Sequence, residues 1–332
     1  MKRYWKYLVS ILIIMSVIGG YLFYFCTYPK EIEETIIEIN SGETALSIAN
    51  KLYNKNLIIS REAFYLYIKL TKSQGSLSYG KYLFKGNLNM INIINLIKSG
   101  KVLLKKITIP EGLTAWKTCK LLAKRGFGKY KVLLALCNDS LFAKKMTGFS
   151  IPNLEGFLYP ETYFFPDDVT EEFIISHIVK EFFNQTADLD FKPNKNLDFY
   201  EIIILASIVE REAKIEDEKP TIASVYVNRI NYNYKLQADP TVAYVLELAG
   251  KNREKLFYKD LEIDSPYNTY KHLGLPPTPI CSPARSSIAA VLNPAETDYF
   301  FFFANGQGRH EFTKTYQQHL FKQNQLKASN GN

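Results

Sequence analysis

Residues 202–213 read IIILASIVEREA, an apolar run that ends in two glutamates on either side of an arginine. Each residue of a helix advances by about 100°, which brings four of the apolar side chains onto one seam. They are Ile202, Leu205, Ala206 and Val209. The stretch predicts a core-facing helix over 199–213 with a charged end. In that helix Glu210 and Glu212 point about 160° apart, so they cannot converge on one site.

The two glutamates have different neighbours in the sequence. Glu210 has Lys214 four residues later, in the order that favours a helical ion pair. Glu212 follows the apolar turn that ends at Val209 and has Glu216 at i+4. Apolar surroundings and a second carboxylate both raise a carboxyl pKa, as a general acid near neutral pH requires. The alternative, that both glutamates only cap and solubilise a helix end, stays open on this geometry.

Composition indicates a folded protein without a metal or other cofactor. The chain has 332 residues, of which 47% are hydrophobic and 22% charged, enough for one large or two to three small domains. Its formal charge of +8 is spread along the chain, which favours a solvated basic surface over nucleic-acid binding. The four histidines show no paired ligand spacing, and buried free thiols are expected at Cys119, Cys137 and Cys281.

The N-terminus has the pattern of a membrane anchor. Lys2, Arg3 and Lys6 precede an uncharged run over 7–28, about the length of the roughly 20 residues that cross a bilayer. The positive excess places the N-terminus in the cytoplasm and the remainder outside. A cleaved signal peptide is the competing interpretation, but the run has no small-residue cleavage site. Removal of residues 1–28 is expected to leave a soluble, active ectodomain.

The predicted class is α+β in three parts, because helices and strands mix without a repeated βαβ unit. Residues 1–28 form the tail and anchor, 29–108 a small α+β module, and 109–332 a larger mixed α+β domain. The module contains strands at 35–39 and 80–84 and helices at 44–56, 60–71 and 89–101. The larger domain contains a strand at 299–305 and helices at 113–126, 130–147, 171–186, 199–213, 219–232 and 315–328.

Three loops of the larger domain, at 154–165, 236–244 and 265–284, combine proline with tyrosine, amide and carboxylate side chains. Proline restricts φ and stiffens a loop, and this residue mixture suits carbohydrate binding. The alternative is that they are structural loops whose tyrosines pack inside. The candidate substrate-binding residues are Glu155, Gln237, Asp239, Thr241, Asn268 and Tyr270.

Six stretches of this domain carry a resemblance to a known family. They are EGFLYPETY (155–163), LASIVEREA (205–213), ASVYVNRI (223–230), LQADPTV (236–242), SPYNTY (265–270) and GLPPTPI (274–280). Together with the N-terminal anchor, they resemble the YceG-like endolytic murein transglycosylase family (MltG) over essentially the whole chain. The resemblance implies that residues 29–108 are a LysM-like module and that Glu212, the second glutamate of the motif, is the catalytic acid.

The resemblance implies a lyase that acts on nascent peptidoglycan at the bacterial cytoplasmic (inner) membrane, with its catalytic domain on the periplasmic side. It would cut the β-1,4 bond between N-acetylmuramic acid and N-acetylglucosamine, leave 1,6-anhydro ends and so terminate glycan elongation. Glycan strands are then its partner, and peptidoglycan synthases are candidate protein partners. Two alternatives remain: a non-catalytic glycan-binding scaffold of the wall-synthesis machinery, and a muramidase that uses water.

Overall fold

A computed structural model describes the chain over residues 2–167, 169–191, 197–251 and 255–330. It shows a mixed α+β protein with an apolar N-terminal helix, as the sequence predicts. Two compact units are present. The first comprises residues 1–106 and 164–169, and the second residues 107–163 and 170–332.

The N-terminal helix α1 spans Lys2–Thr27. Its segment Trp5–Thr27 has a mean hydropathy of 2.2 and is long and apolar enough to cross a membrane. The side chains of Lys2 and Arg3 lie outside the described part of the chain. At the other end of the helix, Cys26 is buried, and Leu22 and Phe25 pack against the core of the first unit. The last turns of α1 are therefore part of that unit's packing.

The first unit runs strand, helix, helix, strand, helix. These elements are β1 (Lys30–Ile39), α2 (Ala45–Asn54), α3 (Arg61–Leu70), β2 (Gly80–Leu88) and α4 (Met90–Lys98). The strands β1 and β2 pair antiparallel, with Ile39 opposite Gly80. Side chains of Thr44, Ser60 and Asn89 cap the three helices by accepting backbone N–H groups, as their polar types favour.

The strands β3 (Leu104–Thr108) and β4 (Thr162–Pro166) pair with each other, and each contains residues of both units. The second unit is otherwise mainly helical, with one further strand pair, β5 (Phe301–Ala304) and β6 (His310–Thr313). The helices are α5 (Ala115–Lys124), α6 (Tyr130–Asn138), α7 (Ser140–Thr147), α8 (Glu171–Thr186), α9 (Phe199–Glu212), α10 (Lys219–Asn231), α11 (Asp239–Leu248), α12 (Arg285–Leu292) and α13 (Tyr316–Asn330).

The helix α9 forms the centre of the second unit. All eight residues from Ile202 to Val209 are buried, and α10, α11 and α12 pack around the helix. The predicted seam of Ile202, Leu205, Ala206 and Val209 is buried, as expected, and the other apolar residues of this stretch are buried as well, as in a helix that is apolar all round. Its one polar interior residue is satisfied: Ser207 Oγ donates to the carbonyl of Ile204 and accepts from the amide of Ile280.

Several elements differ from the prediction. The single helix expected over 130–147 is two helices, because the Asp139 side chain accepts from the amides of Leu141 and Phe142 and starts α7. The expected rigid loop at 236–244 becomes helix α11 from Asp239 onward, and α12 was not predicted. The cysteines are free and buried, as expected; Cys119 Sγ lies 3.5 Å from Cys137 Sγ.

Candidate active site

Glu212 is the last residue of α9, where the buried helix reaches the surface of the second unit. The residue is partly exposed, but its Oε2 is shut off from solvent and has no hydrogen-bond partner within the described protein. A buried carboxylate oxygen without a partner is costly when it carries charge. Glu212 is therefore a carboxyl group held in a setting that favours its protonated form.

Asp239 is the second carboxylate of this site. It is the first residue of α11, is exposed, and accepts a hydrogen bond of 2.5 Å from the hydroxyl of Tyr270. Its charge acts on Glu212 and raises the pKa of that group. The structure thus brings together three residues that the sequence singled out. They are Glu212 on α9, Asp239 on α11 and Tyr270 in the loop after residue 264.

Arg229 supplies the positive charge of the site. It is buried on α10 and donates from Nε to the carbonyl of Phe300 at 2.7 Å. Its guanidinium also donates to the carbonyls of Lys235 and Leu236, which directly precede Gln237. Arg229 therefore fixes the backbone that leads into α11 and hence the position of Asp239.

Tyr226 lies one turn before Arg229 on α10 and is also buried. Burial raises the pKa of its hydroxyl, and the charge of Glu212 raises that pKa further. Both residues lie in the stretch ASVYVNRI (223–230), for which the sequence alone predicts no individual roles. A signal was present: Ile222, Tyr226 and Arg229 share one helical face, and an arginine on an otherwise buried face requires partners.

The pKa of Glu212 is raised to about 8. Burial is the largest cause, the charge of Asp239 is second, and the charge of Arg229 opposes both. A carboxyl group with that pKa is about nine-tenths protonated at pH 7. At neutral pH Glu212 is thus able to donate a proton.

Glu210 has a different role from Glu212. Its Oε2 accepts from the amide of Ala284 at 2.9 Å and from Ser287 Oγ at 2.6 Å, and it lies 3.5 Å from the buried Nζ of Lys219. Glu210 therefore caps the N-terminus of α12 from a distant part of the chain. The prediction that the two glutamates point to different sites is confirmed, because Glu210 contacts Ala284, Ser287 and Lys219, whereas Glu212 interacts with Asp239 and Arg229.

The predicted partners of the two glutamates are wrong. The helix α9 ends at Glu212, so Lys214 and Glu216 do not continue its faces. Lys214 is exposed, and the cation beside Glu210 is Lys219. Glu216 pairs with Lys219 at 2.5 Å and is not among the groups that shift the pKa of Glu212. Asp239, distant in sequence, supplies the second carboxylate instead.

Thr241 and Asn268 are buried and bonded to the loops around them. Thr241 Oγ1 donates to the carbonyl of Ala238 and contacts Thr269 Oγ1 at 2.9 Å. The amide of Asn268 donates to the carbonyls of Leu261 and Ile263. These contacts fix the loop before α11 against the loop that carries Tyr270. Gln237 is exposed at the junction, in the left-handed region at φ 50°.

Glu155 is not in the group around Glu212. It is buried, and its carboxyl oxygens accept from the amide of Ala115 at 2.9 and 3.1 Å and from Tyr244 OH at 3.4 Å. Burial is the largest cause that raises the pKa of Glu155 to about 8. The charged groups that act on Glu212 are Asp239 and Arg229, so Asp239 is the carboxylate that approaches it.

Within the described residues, no group of three or more His, Cys, Asp or Glu side chains is arranged to hold a metal ion. The arrangement at Glu212 instead suits proton transfer. It combines one protonated acid, one fixed carboxylate and one buried guanidinium.

Comparison with known proteins gives consistent matches. The YceG-like family model matches residues 37–325. The chain is 35% identical to the endolytic murein transglycosylase of Bacillus subtilis, covering 91% of this chain and 89% of that protein. It is 28% identical to the endolytic murein transglycosylase of Streptococcus pneumoniae strain D39, covering 81% of this chain but only 54% of that longer protein.

A solved structure agrees with these matches. The crystal structure of a yceG-like protein from Listeria monocytogenes superposes with a TM-score of 0.59 at 34% identity, covering 86% of this chain and 98% of that one. The family match extends over most of the chain, and relatives more than 30% identical match nearly their full length. The chain therefore belongs to the YceG-like family.

Proposed function

We propose that this protein is a membrane-anchored endolytic lytic transglycosylase of peptidoglycan. Its relatives are named endolytic murein transglycosylases, which are lyases, and family membership gives this chain the same enzyme class. The proposed reaction cuts the β-1,4 bond between N-acetylmuramic acid and N-acetylglucosamine of nascent strands, leaves 1,6-anhydro ends and terminates elongation. The observation that carries the proposal is the buried, unpartnered Oε2 of Glu212 with a pKa of about 8.

In the first step Glu212 gives its proton to the glycosidic oxygen as the bond from that oxygen to C1 of the muramoyl residue breaks. The 6-hydroxyl of the same residue then attacks C1, and the Glu212 carboxylate takes the hydroxyl proton. No water is consumed, and Glu212 ends the cycle protonated. Because the nucleophile belongs to the substrate, one carboxyl group serves both proton transfers, whereas ordinary glycosidases use two.

Asp239 and Arg229 set the electrostatics of this cycle. Asp239, held by Tyr270, keeps Glu212 protonated before reaction and places negative charge beside a site where C1 becomes positive. Arg229 limits the rise in the Glu212 pKa and fixes the backbone before Asp239. We assign substrate contact to Gln237, Asp239 and Tyr270, and positioning of their loops to Thr241 and Asn268.

The anchor and the first unit complete the proposal. We propose that α1 crosses the cytoplasmic (inner) membrane once, with Lys2, Arg3 and Lys6 inside and the catalytic unit on the periplasmic side. The order of β1, α2, α3 and β2, with antiparallel pairing of the strands, supports a LysM-like module within the predicted range 29–108. Peptidoglycan synthases are the candidate protein partners of an enzyme at this location.

The mass of the product tests the reaction type. Purified protein is incubated with uncrosslinked glycan strands, and the new ends are analysed by mass spectrometry. We expect anhydromuramoyl ends. Ends heavier by one water would indicate a muramidase, and strand binding without any new ends would indicate a glycan-binding scaffold; either result overturns the proposal.

A further inference from the structure

Arg211 is the middle residue of the Glu-Arg-Glu sequence that ends α9. Its charge is not among those that shift the pKa of Glu212, which are the charges of Asp239 and Arg229. The charge of Arg211 acts instead on the buried Glu155, whose pKa it lowers. The contacts of Arg211 therefore lie with a different set of groups from those around the catalytic carboxyl.

Arg211 joins α9 to α11. One terminal nitrogen of its guanidinium lies 2.5 Å from Glu247 Oε1, and the other lies 3.5 Å from the carbonyl oxygen of Ile280. Glu247 is the penultimate residue of α11, and its second oxygen pairs with Lys117 Nζ on α5 at 2.8 Å. The side chains of Arg211 and Glu247 are only 16% and 11% exposed, so water and salt screen this ion pair less than a surface pair.

The same turn of α9 is held on a second side. Glu210 accepts hydrogen bonds from the amide of Ala284 and the hydroxyl of Ser287, which ties the turn to α12. The last carbonyl groups of a helix lack partners within the helix, and its end frays readily. The side chains of Glu210 and Arg211 counter this fraying, because they fix the end of α9 to two different helices.

The carboxyl group of Glu212 depends on this turn for its position. Its Oε2 is enclosed but has no hydrogen-bond partner among the residues that the structure describes. A general acid has to lie about 2.6–3.2 Å from the oxygen that it protonates, and a displacement of about 1 Å can cost a hundredfold in rate. A catalytic acid with an unpartnered oxygen therefore needs neighbours that hold its backbone in place.

The ion pair of Arg211 also connects the two carboxylates of the site. Glu212 ends α9, and Asp239 begins α11. Asp239 and Glu247 lie eight residues apart on α11, about 12 Å at 1.5 Å per residue. The pair between Arg211 and Glu247 thus links the helix that carries the acid to the helix that carries the second carboxylate.

We propose that Arg211 is a positioning residue for the catalytic acid: by pairing with Glu247 it fixes the last turn of α9 against α11 and so holds Glu212 beside Asp239. The role of Glu212 as proton donor rests on the proposed function. The position of Glu212 relative to Asp239 does not, and it is measurable without turnover.

The first readout is the pKa of Glu212 in the full chain in detergent micelles. NMR of the side-chain carboxyl carbons follows it, and the signal is assigned by its absence from Glu212→Gln. Arg211→Met removes the ion pair, so that water reaches the carboxyl group and Asp239 draws away. The pKa of Glu212 should then fall from about 8 towards the ordinary carboxyl range. Loss of a cation that acted only through its charge would raise that pKa, so an unchanged or raised value overturns the proposal.

The second readout is the kinetics of anhydromuramoyl formation. Arg211→Met should lower kcat about ten- to a hundredfold with a smaller change in KM, because a displaced acid slows proton transfer more than it weakens binding. Arg211→Lys keeps a cation for Glu247 and should restore most of kcat and of the Glu212 pKa. A change in KM alone, or equal losses in the lysine and methionine variants, contradicts positioning by the ion pair.

Arg285→Met is the matched control. Arg285 also forms an arginine–carboxylate pair in the second unit, with Asp188 at 2.7 Å, but this pair ties α12 to the segment after α8. Its loss should lower stability without moving kcat or the pKa of Glu212. The same pKa shift in this variant would mean that any lost ion pair disturbs the site, and would overturn the proposal.

A second variant covers failure of Arg211→Met to fold. Arg211→Met combined with Glu247→Met removes both charges of the pair, a replacement by apolar side chains that proteins often tolerate. It should show the same fall in the pKa of Glu212, and a pKa still at about 8 would contradict the proposal.

Failure of this inference is distinguishable from failure of the proposed function. If the unmodified protein makes no anhydromuramoyl ends, the proposed function fails, while the NMR titration still reports the setting of Glu212. If the unmodified protein cleaves strands and Arg211→Met leaves the pKa of Glu212 at about 8, only the positioning role of Arg211 fails.

Discussion

At the scale of single residues, the two glutamates at the end of α9 have opposite roles. Glu210 is bonded by a backbone amide, a hydroxyl and a buried lysine, whereas Glu212 has a buried oxygen with no partner within the described protein. The sequence separates them by helical geometry alone. It could not identify Asp239 and Arg229 as the charges beside Glu212, because both are distant in sequence and approach through tertiary packing.

The first prediction concerns the pH dependence of cleavage. With a Glu212 pKa of about 8, activity should be high at pH 6–7 and fall as the pH rises through 8, because the acid loses its proton. The charge of Asp239 raises that pKa, so Asp239→Asn should lower it and move the alkaline limb to lower pH. A rate profile of anhydromuramoyl formation measures the shift. An alkaline limb unmoved by Asp239→Asn would contradict the assigned coupling.

A second prediction compares the contributions of Glu210 and the exposed Glu216 to the stability of the fold. Glu210→Ala leaves the amide of Ala284 and the hydroxyl of Ser287 without their acceptor and removes one of the two carboxylates beside the buried Lys219, so it should destabilise by about 2–3 kcal/mol. The matched control is Glu216→Ala, since Glu216 also pairs with Lys219 but is 66% exposed at its side chain. It should cost less than about 1 kcal/mol. Denaturant unfolding of both variants measures the difference, and equal losses would refute the role of Glu210.

At the scale of elements, the sequence predicts those helices whose start signals are local. The bounds of α8 agree with the predicted 171–186, and α9 ends within one residue of its prediction. The start of α11 is predicted as a loop because Pro240 suggests one, although proline in the first turn is also a helix start signal. The helix α12 was not predictable locally, since its capping carboxylate comes from Glu210, 74 residues earlier.

The loop that carries Glu155 gives a third prediction. Gly156 has a φ of 92°, and a Cβ there would lie 2.6 Å from Pro279 Cγ and 3.1 Å from Ile203 Cγ2. Gly156→Ala should therefore destabilise by about 2–4 kcal/mol, from backbone strain and overpacking together.

Gly148→Ala is the matched control for that substitution. Gly148 has a φ of 80°, but apart from its own and the adjacent residues no described residue has an atom within 4 Å of the position that an added Cβ would take, so only the backbone strain of about 1–2 kcal/mol remains. Thermal unfolding of the two variants compares them. If both lose the same stability, close packing of Gly156 against Pro279 is not what fixes this loop.

At the scale of the whole molecule, the α+β class and the apolar N-terminal helix were predictable, because composition and periodicity determine them. The division of the chain into compact units was less predictable from the sequence. The first unit includes residues 164–169 as well as 1–106, and Asp167 pairs there with Lys81 and Lys105. A segment that returns to an earlier unit leaves no periodic signal in the sequence.

The contact of α1 with the first unit gives a fourth prediction. Cys26, Leu22 and Phe25 belong to the packing of that unit, and Tyr21 OH lies 2.9 Å from Ser60 Oγ. Deletion of residues 1–20 should leave stability unchanged, whereas deletion of residues 1–28 should lower the unfolding temperature of the first unit. Calorimetry of the two truncations decides this. Identical unfolding of both would mean that the end of α1 adds nothing to the unit.

The most direct test of the central claim is the substitution Glu212→Gln, assayed by mass spectrometry for anhydromuramoyl ends released from uncrosslinked glycan strands. General acid–base catalysis is typically worth about 10²–10⁴-fold, so release should fall by at least that factor. Folding should be retained, because glutamine fills the same space without an ionisable group. A folded Glu212→Gln protein that still releases anhydromuramoyl ends at the original rate would contradict the account.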